Sequence, residues 1–329
     1  MKTYIYKNYT IAKRFMFFLY LVFLLSNQIF KLTAQNSQVY FTDVTEEAGI
    51  NFRYTFGDYT YENILESSGS GITIFDYNND GLPDLYRLNG TYVEGISDAD
   101  GKVFKNTGNK LYKNNGNGTF TEVSREAGVD DRNWGMAAGA IDYDNDGDLD
   151  IFSANGTAEE LILQPPLLLE NDGKGHFKNT GPELCDYFST KRSGRTMAVW
   201  DYDNDGDMDI IVSHIDLQAT ATLLRNDGAN PNHWLGLKLT GENGPASAIG
   251  ARITVTIGNK KRVYINQWST SYLSNNDSRV HIGLGQHKHI DRIEIFWSDG
   301  RKETYNNPPV DCYLTIEQGT GIIVIVNSK

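Results

Sequence analysis

Three stretches of this chain share one spacing: Asp76-Tyr-Asn78-Asn-Asp80-Gly81-Leu82-Pro-Asp84, Asp142-Tyr-Asp144-Asn-Asp146-Gly147-Asp148-Leu-Asp150 and Asp201-Tyr-Asp203-Asn-Asp205-Gly206-Asp207-Met-Asp209. Each reads D-x-[DN]-x-D-G-x-x-D. Carboxylates this close repel one another unless a cation sits among them. A hard cation of calcium's size takes six to eight oxygen ligands at about 2.3–2.6 Å. Positions 1, 3, 5 and 9 carry side-chain oxygens, position 7 offers its carbonyl, and the glycine at 6 permits the sharp turn. The expected side-chain ligands are Asp76, Asn78, Asp80 and Asp84, then Asp142, Asp144, Asp146 and Asp150, then Asp201, Asp203, Asp205 and Asp209. Leu82, Asp148 and Asp207 are expected to bind through their carbonyls. Position 12 holds no Glu, so these are shortened relatives of the helix-flanked calcium loop. About three Ca2+ per chain are expected, and the first loop, with one carboxylate fewer, is expected to be the weakest site.

The flanks are short apolar runs: Gly71-Ile-Thr-Ile-Phe75, Met136-Ala-Ala-Gly-Ala-Ile141 and Thr196-Met-Ala-Val-Trp200 before the loops, and Leu85-Tyr86, Ile151-Phe152 and Ile210-Ile211-Val212 after them. Such runs bounded by Gly, Asn and Asp predict strand–loop–strand. A second element recurs between the loops. Leu111-Tyr-Lys-Asn-Asn-Gly-Asn-Gly-Thr-Phe120 resembles Leu168-Leu-Glu-Asn-Asp-Gly-Lys-Gly-His-Phe177, with a shorter echo at Leu223-Leu-Arg-Asn-Asp-Gly228. Asn-Gly and Asp-Gly between apolar runs are hairpin signals, because both tolerate positive φ. The loops lie 66 residues apart (Asp76 to Asp142) and then 59 (Asp142 to Asp201). Repeats of this length built from two hairpins predict propeller blades.

The formal charge is −12, and residues 1–34 hold five basic residues and no acids, which leaves −17 on the remainder. Eleven carboxylates occupy side-chain ligand positions of the loops, so folding and metal binding are expected to be coupled. The acidic balance argues against a nucleic-acid partner, which needs a basic footprint. Lys13-Arg14 followed by the apolar run 15–25 predicts a signal peptide over 1–34 with cleavage after Ala34. An uncleaved anchor, the one route to a membrane here, is the alternative. Export places the chain outside the cytoplasm, as a secreted, periplasmic or cell-surface protein, where calcium is plentiful. Cys185 and Cys312 fit either one disulfide or two separate thiols.

From about Asn232 the acidic loops stop and longer alternating strands begin, from His233-Trp-Leu-Gly-Leu-Lys-Leu239 to Tyr313-Leu-Thr-Ile316. Five or six such strands predict a compact β-sandwich. The front section resembles the FG-GAP/VCBS repeat family. The tail resembles the ASPIC/UnbV domain through Asn226-Asp-Gly-Ala-Asn-Pro-Asn-His-Trp-Leu235, Ala248-Ile-Gly-Ala-Arg252, Ser271-Tyr-Leu-Ser274, His281-Ile-Gly-Leu-Gly285 and Trp297-Ser-Asp-Gly-Arg301. The opening Phe41-Thr-Asp-Val-Thr-Glu-Glu-Ala-Gly49 is also similar to the start of such chains, in the order seen in cartilage-acidic-protein-like members. The resemblance implies calcium binding and extracellular interaction, and no general catalytic reaction.

The expected fold is therefore all-β: incomplete β-propeller-like repeats with three calcium-loop blades, then a small β-sandwich. The expected divisions are a signal peptide (1–34), a calcium-binding repeat domain (36–230), the ASPIC/UnbV sandwich (231–319) and a C-terminal tail (320–329). Members of the family are mostly longer, and propellers close with about four or more blades. Three blades leave strand edges open for the sandwich or another subunit to cover, or leave a degenerate blade to be found in 88–110 or 153–166. Val39–Val44 adds at most one outer strand.

Catalytic signatures are sparse. Neither G-x-S-x-G nor H-E-x-x-H nor C-x-x-C occurs. Arg192, Arg195 and Trp200 fit an anion or glycan site, but ordinary surface packing explains them better. His287 and His289 lack a third ligand nearby. The reading favoured is a non-enzymatic, calcium-stabilised module for adhesion or for binding an extracellular protein or glycan, with self-association through open strand edges as a further partner class. The alternative is an exported enzyme acting on polysaccharide or glycoconjugate. An acidic pair in a pocket outside the calcium loops would favour that alternative.

Overall fold

Each acidic stretch links two antiparallel strands, and in each the residue before the loop pairs with the aspartate that closes it: Phe75 with Asp84, Ile141 with Asp150, Trp200 with Asp209. The computed structural model describes residues 41–55, 69, 71–95, 97–105, 107–156, 163–215, 220–228, 231–269 and 272–327; the signal segment expected over 1–34 lies outside them. Contacts divide the chain into residues 1–44 and 45–329, and the strands of the described residues lie in the second part. Among the described residues no helix is long and apolar enough to cross a membrane.

The described residues form an all-β fold made of five small sheets. The first contains β1 (Ile72–Phe75), β2 (Asp84–Arg87), β3 (Lys110–Asn114) and β4 (Phe120–Glu122) in sequential order. The second repeats this with β5 (Gly135–Ile141), β6 (Asp150–Asn155), β7 (Leu167–Asn171) and β8 (Phe177–Asn179). Among the described residues the third has β9 (Gly194–Trp200), β10 (Asp209–His214) and β11 (Thr222–Leu224). Neighbouring repeat sheets share apolar cores. Phe75, Tyr86 and Leu111 pack with Ala138, Ile151 and Leu169. Ala137, Phe152 and Leu168 pack with Met197, Val199 and Ile210. Successive residues of β5 thus feed opposite cores, as strand alternation dictates. That double burial explains its small side chains: a Cβ at Gly139 would lie 2.8 Å from Met197 Sδ.

The C-terminal region forms two four-stranded sheets. One has the order β15 (Arg279–Gly285), β12 (His233–Thr240), β18 (Cys312–Glu317), β19 (Gly321–Asn327). The other has the order β14 (Lys260–Ile265), β13 (Arg252–Ile257), β16 (Arg292–Phe296), β17 (Lys302–Asn306). Leu235, Leu237 and Leu314 from the first share one core with Ile253, Val255 and Ile293 from the second. The parallel pairing of β12 with β18 joins segments over seventy residues apart.

Several expectations change. The C-terminal sheets hold eight strands rather than five or six. Residues 320–329, expected as a tail, include β19, which pairs along β18. The apolar run Ile322–Val326 finds a partner edge that sequence spacing does not reveal. Residues 88–110 contain a 3-10 turn (Ala99–Phe104) rather than a hidden blade, and residues 157–162 lie outside the described residues. Of the outer strand expected over Val39–Val44, residues 39 and 40 lie outside the described residues, and 41–44 form no strand. Cys312 is buried in the C-terminal core while Cys185 is exposed, and both are free thiols.

Candidate metal centre

The backbone turns through each loop by the same device. Asn79, Asn145 and Asn204 at position 4 have φ of 56°, 61° and 62°, and the glycines at position 6 have φ of 85°, 88° and 99°. Left-handed residues are tolerated by Asn and favoured by Gly, which accounts for their recurrence. In the first loop, Asp76 accepts hydrogen bonds from the backbone N–H groups of Asp80 (3.1 Å) and Gly81 (2.8 Å). Asp201 does the same for Asp205 (3.1 Å) and Gly206 (2.7 Å). The position-5 aspartates accept from position 7: Leu82 N–H to Asp80 at 3.0 Å, Asp148 N–H to Asp146 at 2.8 Å, Asp207 N–H to Asp205 at 2.9 Å.

The closing aspartates clamp the loop to the next hairpin. One oxygen of Asp84 accepts from Tyr77 N–H (3.1 Å) and the other from Asn114 N–H (2.7 Å). Asp150 joins Tyr143 (3.3 Å) to Asn171 (2.8 Å), and Asp209 joins Tyr202 (3.0 Å) to Asn226 (2.8 Å). Each carboxylate oxygen retains a second lone pair for a ligand. The hairpin asparagines were not among the expected functional residues, yet they tie the repeats together. Asn171 Nδ2 donates to Tyr77 O of the preceding repeat at 2.8 Å, and Asn226 Nδ2 to Tyr143 O at 2.7 Å. Their recurrence in Asn-Asp-Gly was the available signal.

Carboxylate oxygens of Asp142, Asp144 and Asp146 lie within 4.8 Å of one another, as do those of Asp201, Asp203 and Asp209. Asp142 is 5% exposed and its Oδ1 has no hydrogen-bond partner; Asp203 Oδ1 is likewise buried and unpartnered. Burial, reinforced by Asp146 and Asp144, pushes the Asp142 carboxyl well above the usual range. Burial raises Asp84 to about 7 and Asp146, Asp207 and Asp209 to about 6. A buried carboxylate oxygen with no donor, among like charges, is a costly arrangement that a cation relieves. The donors are all oxygen, which fits a hard cation such as Ca2+ and not a thiolate- or imidazole-seeking metal. The first loop differs: Asn78 replaces a carboxylate, Asp80 is exposed, and Lys113 Nζ lies 3.6 Å from Asp80 Oδ2.

The second and third loops face the C-terminal sheets. Arg262, 8% exposed, donates to Gly283 O (2.9 Å) and Asp146 O (3.2 Å), with Asp148 Oδ1 at 3.9 Å. Arg279 donates to Asn204 Oδ1 (2.6 Å) and Asp201 O (2.8 Å) and lies over the Tyr313 ring. The Tyr313 hydroxyl donates to Asp201 Oδ2. A Cβ at Gly206 would strike Trp234, and one at Gly147 would strike Arg262, so these glycines serve close approach as well as the turn. Residues 272–277 run along β9: Asp277 N–H donates to Val199 O at 3.1 Å, and Val199 N–H to Asn276 Oδ1 at 3.1 Å.

Among the other candidates, Arg192 Nε and Arg195 Nη1 are buried with no hydrogen-bond partner. Arg192 lies over the Tyr187 ring and Arg195 over that of Tyr272, while Trp200 packs edge-on to Tyr202. His287 and His289 are exposed, and neither joins a cluster of three metal-ligating side chains among the described residues.

Residues 241–323 match the ASPIC and UnbV family, and residues 97–153 match an FG-GAP-like repeat. Cartilage acidic protein 1 of Xenopus tropicalis is 25% identical over 278 residues, covering 78% of this chain and 39% of that protein. The proteins of the same name from Mus musculus and Homo sapiens are each 30% identical over 112 residues, covering 34% of this chain and 16% of theirs. The chain thus spans well under half the length of these relatives. The Vibrio cholerae biofilm matrix protein Bap1 aligns over 78% of this chain and 62% of its own at 10% identity, with a TM-score of 0.17, too low to bear on the fold.

Proposed function

We propose that this chain, which matches an FG-GAP-like repeat at residues 97–153 and the ASPIC and UnbV family at residues 241–323, is an exported calcium-binding module for an extracellular protein or glycan. In this reading the three repeat sheets are blades of an incomplete propeller and the two C-terminal sheets are a sandwich that covers the second and third loops. The single observation that carries it is the buried Asp142 oxygen with no donor, held beside Asp144 and Asp146.

Asp142, Asp144, Asp146 and Asp150 would hold one ion, and Asp201, Asp203, Asp205 and Asp209 another, with the carbonyls of Asp148 and Asp207. Asp76, Asn78, Asp80, Asp84 and the Leu82 carbonyl would hold the weakest. Bound calcium supplies positive charge that relieves carboxylate repulsion and fixes each loop's shape. Arg262, Arg279 and Tyr313 grip the outer side of two of those loops, so loop shape governs how the C-terminal sheets dock. A partner surface then belongs elsewhere than on the second and third loops.

A non-catalytic role is favoured over the polysaccharide enzyme by the state of the acids in two clefts. Asp227 and Asp277 stand outside the metal loops, and each is paired with an arginine, Arg225 at 2.5 Å and Arg279 at 2.6 Å. The test is calorimetric calcium titration of the chelated chain from Gln35, with thermal melting of the same samples. Binding of about three ions with a rise in melting temperature is expected. Absence of binding by a folded chain overturns the proposal.

A further inference from the structure

The asparagine at position 4 of each acidic loop is not an expected ligand, yet its side chain reaches out of its own loop. Asn79 Nδ2 donates to Asp148 Oδ1 of the second loop at 2.5 Å. Asn145 Nδ2 donates to Asp207 Oδ1 of the third loop at 2.9 Å and to Gly206 O at 3.1 Å. Both acceptor side chains stand at position 7. That position is Asp in the two loops a preceding loop touches in this way, and Leu82 in the first. Asn204, at position 4 of the third loop, accepts from Arg279 Nη1 at 2.6 Å, so the series ends on the C-terminal sheets.

Asn145 makes the most fully determined of these links, and it is 1% exposed. In its own loop it stands between Asp144 and Asp146, two expected ligands, and its carbonyl accepts from Gly285 N–H at 2.8 Å. Its amide has one orientation. Oδ1 accepts from His281 Nε2 at 2.5 Å, which turns the donating Nδ2 toward the third loop. There it holds the carbonyl side of the peptide joining Gly206 to Asp207, while Asp205 holds the N–H side at 2.9 Å. The carbonyl that follows, that of Asp207, is the expected position-7 ligand. The two loops joined by Asn145 are also those with a buried carboxylate oxygen lacking a donor, Asp142 Oδ1 in one and Asp203 Oδ1 in the other. Those oxygens point to a cation in each loop independently of the asparagine.

We infer that Asn145 is a positioning residue that couples the second metal loop to the third, so that the two fill cooperatively; the inference rests on the calcium reading above. Ligation by Asp144 and Asp146 fixes the residue between them. Asn145, once fixed, presets both the Gly206–Asp207 peptide and the Asp207 side chain of the next loop. A site whose ligands are already ordered binds at a smaller conformational cost, which is positive coupling. By linkage the third loop returns the same factor to the second. Cations in adjacent loops repel, so coupling through space alone has the opposite sign. Asn79 makes the corresponding link from the first loop to the second, through Asp148.

The test titrates the chelated chain from Gln35 with Tb3+, a hard oxygen-seeking cation whose emission is excited through nearby tryptophan. Trp200 directly precedes the third loop and Trp234 abuts Gly206, so the emission they sensitise reports that loop. Asp142→Asn, which disables the second loop, should weaken uptake by the third about fivefold or more. Asn145→Gly keeps the positive φ and removes the amide; in that background the shift caused by Asp142→Asn should fall below about twofold. Asp207→Leu copies position 7 of the first loop, retains the carbonyl and should reduce the shift in the same way. A third loop unmoved or strengthened by Asp142→Asn overturns the coupling. So does a shift that persists in both the Asn145→Gly and Asp207→Leu chains, which would make Asn145 a structural residue only. A folded chain that takes up neither Tb3+ nor Ca2+ overturns the calcium reading itself, and the inference with it.

Discussion

Asp142 is buried among like charges with one oxygen lacking a donor, so neutralising it has opposite consequences with and without metal. Asp142→Asn should raise or leave unchanged the melting temperature in chelator, since it removes a repelled buried charge. In calcium it should remove one ion from the stoichiometry and shrink the calcium-induced rise in melting temperature. A substitution that lowers stability equally in both conditions would mean that Asp142 is only a structural acceptor. The sign of the pH dependence follows from the same residues. Burial holds Asp84 near 7 and Asp146, Asp207 and Asp209 near 6 in the metal-free fold, above the value of about 4 in an unfolded chain. Raised folded-state values give stability that is complete below about pH 4 and is lost as pH climbs through 6 to 7. The chelated protein should therefore melt at lower temperature at about pH 7.5 than at about pH 5. Saturating calcium should flatten or reverse that slope. A flat profile in chelator would contradict the assignment of these groups.

The recurring element is a hairpin pair joined to its predecessor by asparagine side chains from the hairpin and from the metal loop. Asn171 Nδ2 donates to Tyr77 O at 2.8 Å and Leu149 O at 3.1 Å, linking the first metal loop to the second. Asn171→Leu removes both donors and leaves buried carbonyls unpaired, a cost of about 1–3 kcal/mol. Denaturant melts in calcium should show that loss, and a neutral substitution would mean that water replaces the amide. Position 6 of the loops adds a steric constraint. Gly147→Ala requires φ of 88° for an alanine and displaces Arg262, so it should cost more than about 1 kcal/mol and loosen the C-terminal sheets. Gly258→Ala, at φ of 59° with open space around it, carries only the conformational part and serves as the control.

At the scale of the whole molecule, two metal loops lie against the C-terminal sheets, so the repeats and those sheets should unfold as one unit when calcium is bound. Differential scanning calorimetry should show a single transition in calcium and two after chelation, when the loops held by Arg262, Arg279 and Tyr313 lose their fixed shape. Two transitions under both conditions would mean that the loops do not couple the halves. How legible this was depends on the range of each interaction. The acidic loops, their flanking strands and the Asn-Asp-Gly hairpins were readable because each is set by residues within about ten positions, through turn conformation and alternation. The alternating C-terminal strands were readable too, apart from polar β17 and the late β19. The partners brought together over long separations were not: Arg262 on Asp146, Tyr313 on Asp201, Gly283 against Asp142, β12 beside β18. Sequence alone determined three oxygen-rich turns, each set between flanking strands, in an all-β chain. Only the tertiary structure decided that the C-terminal sheets cover two of those turns and that β12 lies beside β18, because both depend on which distant surfaces meet when apolar faces are buried.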